Sequence, residues 1–124
     1  YAARMRELVA AKHLGRKNGQ GFYLWKDGKP QRTAITGAAP EDLADRLILP
    51  ILNESAACLR EQVVADAELL DAGIVFGIGF APFRGGPVQY ARDRGIAHVV
   101  ARLSELEARH GSRFRPDSYW PSLS

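Results

Sequence analysis

The sequence predicts an all-α fold carrying one small β-hairpin, and three observations lead there. Apolar residues return at helical spacing in several separate segments. Residues that open helices (Pro40, Asp66, Pro87) and residues that close them (Gly15, Gly77, Gly95, Gly111) bracket those segments. One short aromatic run, Phe22-Tyr23-Leu24-Trp25, is followed by Asp27-Gly28 and has the pattern of a strand leading into a tight turn.

Residues 2–13 set Met5, Leu8, Val9 and Ala11 among basic residues, which predicts an amphipathic helix ending near Leu14. The strand or small hairpin over 22–29 follows, and residues 30–39, with Pro30 and Gly37, read as a surface connector. The strongest helix is predicted from Pro40 to about Val63, with Glu41 and Asp42 placed where the helix dipole favours negative charge. Its apolar face gathers Ala44, Leu47, Ile48, Ile51, Leu52, Leu59 and Val63, opposite Asp42, Arg46, Asn53, Arg60 and Glu61. Pro50 falls on the polar side in that projection, so a bend is expected there and not a break. Asp66 caps the next helix, which Gly77 is placed to end, and residues 77–87 are too rich in Gly and Pro to be regular. Pro87 restarts a short helix that stops at Gly95, and Ile96, Val99, Val100, Leu103 and Leu106 mark another that ends at Gly111. The aromatic tail, Arg113 to Pro121, is expected to fold back onto the helices.

With 124 residues and 46% hydrophobic content, the chain has enough apolar side chains for one core. No stretch approaches the roughly 20 apolar residues of a membrane-spanning helix, and Arg4, Arg6 and Glu7 interrupt the first segment where a signal peptide would be apolar. A soluble, cytoplasmic protein is expected, and the opening Tyr1 suggests a piece of a longer chain. The single cysteine, Cys58, has no internal disulfide partner and fits a reducing compartment. The net charge of +3 arises mainly in the first 35 residues, which suits a solvated basic face.

Candidates for chemistry are few. Cys58 has no activating motif around it, and His98 and His110 are too far apart along the chain to share a metal ion, so no catalytic or metal site is assigned. Glu41, Asp42 and Asp45 crowd a helix start, which the dipole explains, but Asp45 lies at the edge of the apolar face and there needs an arginine or a backbone N–H as partner. The glycine loop after residue 77 follows a helix, whereas a dinucleotide fingerprint follows a strand, and it lacks the Gly-Lys-Ser/Thr ending of a P-loop. The basic cluster Lys12 to Lys17, with Tyr23 and Trp25 nearby, belongs to no nucleic-acid-binding module, and no nucleic-acid partner is expected.

Two stretches are more specific. Gly15-Arg16-Lys17-Asn18-Gly19-Gln20-Gly21-Phe22-Tyr23 resembles the Gly-(Arg/Lys)-Lys-x-Gly-x-Gly-Phe-Tyr segment that closes a helical C-terminal unit in the 3-hydroxyacyl-CoA dehydrogenase family. Arg46-Leu47-Ile48-Leu49-Pro50-Ile51-Leu52-Asn53-Glu54, with Gly77 to Pro87 after it, is similar to the last helical unit of multifunctional fatty-acid oxidation alpha subunits, as is Arg113-Phe114-Arg115-Pro116. The resemblance implies a helical C-terminal dehydrogenase domain of the 6-phosphogluconate dehydrogenase C-terminal-like class. On it, residues 1–35 are the end of a first helical unit with its short strand or hairpin, and residues 36–124 are a second unit.

The same resemblance implies a parent enzyme of fatty-acid β-oxidation in which a hydratase/isomerase region and an NAD-binding Rossmann domain precede the helical units. Its hydride transfer relies on a His–Glu pair in the Rossmann domain and an Asn at the opening helix of the first helical unit. Here Asp45-Arg46 stands where that unit has Asn-Arg, so the catalytic amide is absent and no catalytic or cofactor-binding residue is assigned. The implied role is packing within the parent, with NAD and acyl-CoA bound elsewhere and the Rossmann domain and first helical unit as partners. The broad apolar helix face also allows a homodimer. Lys17, Asp45, Asn53, Glu54, Phe83 and Arg84 are the candidate ligand or interface residues. The alternative is a free-standing acyl-CoA or anionic-ligand binding module using Arg84, Lys17 and the glycine loop, with nucleic-acid binding a third reading.

Overall fold

A computed structural model describes residues 2–34 and 37–123; positions 35 and 36 of the expected connector lie outside the described residues. The chain forms two compact units, Tyr1–Ala38 and Ala39–Ser124. The described residues give an all-α architecture with one two-stranded antiparallel hairpin.

In the first unit, α1 (Ala2–Ala10) stops short of the expected end near Leu14. Lys12 takes a left-handed conformation (φ 59°), and the N–H of His13 turns back to the carbonyl of Leu8 at 2.8 Å. A non-glycine residue therefore closes this helix. Asn18 ties the next loop, accepting from the Leu14 N–H and donating to the Lys12 carbonyl. Gly21 has no alternative in this loop, because a Cβ there would sit 2.7 Å from the Gly15 Cα. β1 (Leu24–Lys26) pairs with β2 (Lys29–Gln31), Trp25 opposite Pro30. Asp27 and Gly28, with φ of 51° and 74°, make the two-residue turn whose twist suits a hairpin. Leu8 is buried in this unit, while Phe22, Tyr23 and Leu24 are exposed.

The second unit holds α2 (Leu43–Arg60), α3 (Ala67–Ile78), α4 (Pro87–Arg94) and α5 (Ile96–His110). Its core is built from Leu49, Leu52, Ala56 and Leu59 of α2, Leu70 of α3, Val88 and Ala91 of α4, Val99, Leu103 and Leu106 of α5, and Phe114, Trp120 and Leu123 of the tail. The tail does pack back, through short 3₁₀ turns at Ser112–Phe114 and Trp120–Leu123.

Three helix limits and one helix face in this unit differ from expectation. α2 begins at Leu43, because Pro40 serves instead as the acceptor of a turn closed by the Leu43 N–H at 3.0 Å, and it ends at Arg60, where Gln62 turns left-handed (φ 55°). α3 passes through Gly77 and ends at Gly79, whose φ of 75° lets its N–H and that of Phe80 return to Val75 and Ile74. The buried face of α2 is Leu49, Leu52, Ser55, Ala56 and Leu59, rotated from the expected one, and it leaves Leu47 and Val63 exposed. The apolar stripe of α2 is wider than the core requires. Its other side, with Pro50, Ile51 and Cys58, lines an open groove against α3, so Pro50 belongs to an apolar surface and not to the polar side.

Candidate functional site

Asp45 lies in the first turn of α2 and reaches two arginines: its Oδ1 is 2.8 Å from Arg94 Nη2 of α4, and its Oδ2 is 2.6 Å from Arg102 Nε of α5. Partial burial works against ionisation of this carboxyl. The hydrogen bonds and charges of Arg102 and Arg94 outweigh that cost and hold it below the ordinary aspartate range. Arg102 also meets Glu105 at 2.6 Å. Nearby, Asp42 Oδ2 is 2.9 Å from His110 Nε2, joining the start of α2 to the end of α5. That hydrogen bond, helped by the charge of Arg46 against a smaller desolvation cost, lowers Asp42 as well. Both oxygens of Asp45 are committed to helix-to-helix contacts.

Asn53 is a clamp for the tail. Its Nδ2 donates to the carbonyl of Arg115 at 2.9 Å, while its Oδ1 accepts from the Asp117 N–H at 2.8 Å and from Trp120 Nε1 at 2.9 Å. Arg60, two turns further along α2, holds Asp117 with Nε at 3.1 Å from both carboxylate oxygens. A side-chain amide that meets a carbonyl, an N–H and an indole at once has little capacity left for a ligand.

Asp71 was invisible to sequence reasoning. It is buried in α3, and its oxygens accept from the N–H groups of Val88 (2.7 Å) and Gln89 (2.9 Å) at the start of α4. Pro87 opens that helix and has no N–H to offer, so Asp71 satisfies the donors next in line and supplies the negative charge that a helix start favours. Gly86 makes the contact feasible: its φ is 118°, and a Cβ there would lie 2.3 Å from the Asp71 Cβ. The signal in the sequence is an aspartate in the middle of a largely apolar helix, fourteen residues before Gly85-Gly86-Pro87.

The remaining candidates do not converge. Glu54 is exposed on the rim of a groove of about 630 Å³ between α2 and α3, lined by Ile51, Cys58, Leu69, Gly73 and Ile74 among others. Phe83 is exposed in the 3₁₀ turn Pro82–Arg84, and the Arg84 guanidinium lies 5.2 Å from its ring centroid and 5.1 Å from that of Tyr90. Lys17 is exposed in the loop of the first unit. Among the described residues, no group of His, Cys, Asp and Glu is arranged to hold a metal ion, and no helix is long and apolar enough to cross a membrane.

No protein-family profile matches the chain. Curated relatives do. The fatty acid oxidation complex subunit alpha of Shewanella amazonensis is 37% identical over an alignment of 123 residues that covers 89% of this chain. That of Shewanella halifaxensis is 38% identical over 122 residues, again 89% of this chain. The chain is similar to one segment of fatty acid oxidation complex alpha subunits. It spans 17% of the length of these relatives, so it corresponds to one segment of a much longer multi-domain subunit.

Proposed function

We propose that this chain is a non-catalytic helical segment of a fatty-acid β-oxidation alpha subunit, completing and supporting the part that oxidises 3-hydroxyacyl-CoA with NAD. Its natural partners are the Rossmann domain and the first helical unit of the same parent, working in the cytoplasm, and the substrate is bound there. The observation that carries this reading is the double engagement of Asp45 by Arg94 and Arg102, at the position matching a catalytic asparagine in the sister unit. A carboxylate held between two arginines locks helices together, whereas a catalytic amide needs a free face toward substrate.

The residues here do not fit NAD. The glycine loop follows α3, and the N–H groups of Val88 and Gln89 at the start of α4, which a phosphate would need, are already taken by Asp71. The test is Asp45→Asn in the full alpha subunit. The dehydrogenase kcat and KM stay at their wild-type values while the melting temperature falls, because Arg94 and Arg102 lose their counter-charge. A large loss of kcat at unchanged stability sinks the proposal.

A further inference from the structure

The sequence contains two asparagines, and their settings are opposite. Asn53 lies inside α2, is followed by Glu54, and has its amide engaged by the Arg115 carbonyl, the Asp117 N–H and the Trp120 indole. Asn18 is exposed in the loop between α1 and the hairpin, and a glycine follows it. Gly19 has no side chain to shield its nitrogen and turns left-handed with a φ of 82°. Among the described residues, its N–H donates no hydrogen bond. An unhindered backbone nitrogen thus stands next in the chain to a carboxamide carbon, and their reaction is intramolecular.

We propose that Asn18 is a site of spontaneous deamidation, that its hydrogen bonds set the rate, and that the product unfastens the loop. The Gly19 N–H gives its proton to solvent and the nitrogen bonds to Asn18 Cγ. The bond from Cγ to Nδ2 breaks, and Nδ2 takes protons from water and leaves as ammonia. One water then opens the five-membered succinimide. Opening at the side-chain carbonyl gives aspartate, and opening at the main-chain carbonyl gives isoaspartate, whose chain runs on through Cγ. Neither oxidant nor reductant takes part.

In the folded loop the amide faces the other way along the chain. Its Oδ1 accepts from the Leu14 N–H at 3.1 Å, and its Nδ2 donates to the Lys12 carbonyl. Both bonds must part before Cγ meets the Gly19 nitrogen, and two bonds of ordinary strength slow the reaction about 30-fold relative to the unfolded chain. The product cannot restore them both. A carboxylate still accepts from Leu14, but it has no donor for Lys12 and turns a charged oxygen toward that carbonyl. Lys12 is the left-handed residue that closes α1, so the loss falls on the helix end. Isoaspartate also lengthens the main chain in a loop so tight that a Cβ on Gly21 would lie 2.7 Å from the Gly15 Cα. The chemistry uses this loop and water alone, whatever role the parent enzyme gives the segment.

The 124-residue chain, folded or unfolded in urea, is incubated at mildly alkaline pH and mapped by mass spectrometry of its peptides. The peptide spanning Asn18 gains the mass of an amide-to-acid conversion and separates into aspartate and isoaspartate forms, while the Asn53 peptide of the folded chain stays intact. Conversion of Asn18 is about 30-fold slower folded than unfolded. A folded chain that never converts at Asn18 overturns the proposal, as does one that converts as fast as the unfolded chain or equally at Asn53. The Asn18→Asp variant tests the consequence. Amide hydrogen exchange at His13 and Gly15, whose N–H groups bond to Leu8 and Gln20, rises about tenfold, the effect of one lost hydrogen bond. Exchange equal to wild type overturns the unfastening.

Discussion

Truncating Asp71 to alanine removes the carboxylate that closes the start of α4, and the structure sets the size of the effect. The Val88 N–H is buried and donates to Oδ1 at 2.7 Å, so the loss of its acceptor costs about 2–3 kcal/mol for a hydrogen bond to a charged group. Gln89 is exposed, and its N–H, now 2.9 Å from Oδ2, regains water when the carboxylate is gone, for a loss nearer ~0.5–1 kcal/mol. Together the change costs about 3 kcal/mol, and at ~4–8 °C per kcal/mol for a unit of this size the melting temperature drops by roughly 12–24 °C. Asp71→Asn keeps one acceptor but turns an amide against the other N–H, so it falls between wild type and the alanine variant. Urea and thermal unfolding followed by far-ultraviolet circular dichroism measure both. An alanine variant within about 1 kcal/mol of wild type refutes the reasoning, since only a solvated or redundant cap loses so little.

Asn53→Ala frees three polar groups of the tail and costs about 3 kcal/mol; limited proteolysis then cleaves within residues 115–123 faster than in wild type, and unchanged cleavage contradicts the clamp. Asp45 gives the second unit a pH dependence. Because Arg102 and Arg94 hold its folded-state pKa below the ordinary value, its stabilising contribution is complete above the unfolded value and drains away as the pH falls through the folded one. Melting curves of wild type and Asp45→Ala therefore converge on acidification, and curves that stay parallel contradict the assignment. Calorimetry with acetoacetyl-CoA returns no saturable heat from the chain, and a clear isotherm favours the ligand-binding module instead.

Much of the fold was legible because it rests on local chemistry. Asp66 caps α3 through a 2.8 Å bond from the Leu69 N–H, Asp27-Gly28 makes the hairpin turn, and Pro87 and Gly95 bound α4. The errors have physical sources. Lys12 and Gln62 end helices in a left-handed conformation that sequence patterns reserve for glycine or asparagine, so α1 and α2 stop earlier than their apolar spacing predicts. Glycine usually ends helices, which marks Gly77 as the stop, but Gly79 closes α3 two residues later. The face of α2 was misplaced because its apolar stripe serves both a core and an open groove, and periodicity alone does not divide the two. At the candidate site, the need of Asp45 for an arginine was readable from its place on the helix. Which arginines answer it was not, since Arg94 and Arg102 lie 49 and 57 positions away in sequence and only the packing of α4 and α5 brings them in. Asp71 escaped for the same reason, its partners lying 17 and 18 residues further on.

We propose packing, and not chemistry, as this segment's contribution to fatty-acid oxidation. The most direct measurement incubates the isolated chain with NAD and a 3-hydroxyacyl-CoA and follows NADH by its absorbance. The account predicts no turnover above the uncatalysed background under conditions where the full alpha subunit is active, and a saturable, protein-dependent rate of NADH formation from the isolated chain contradicts it.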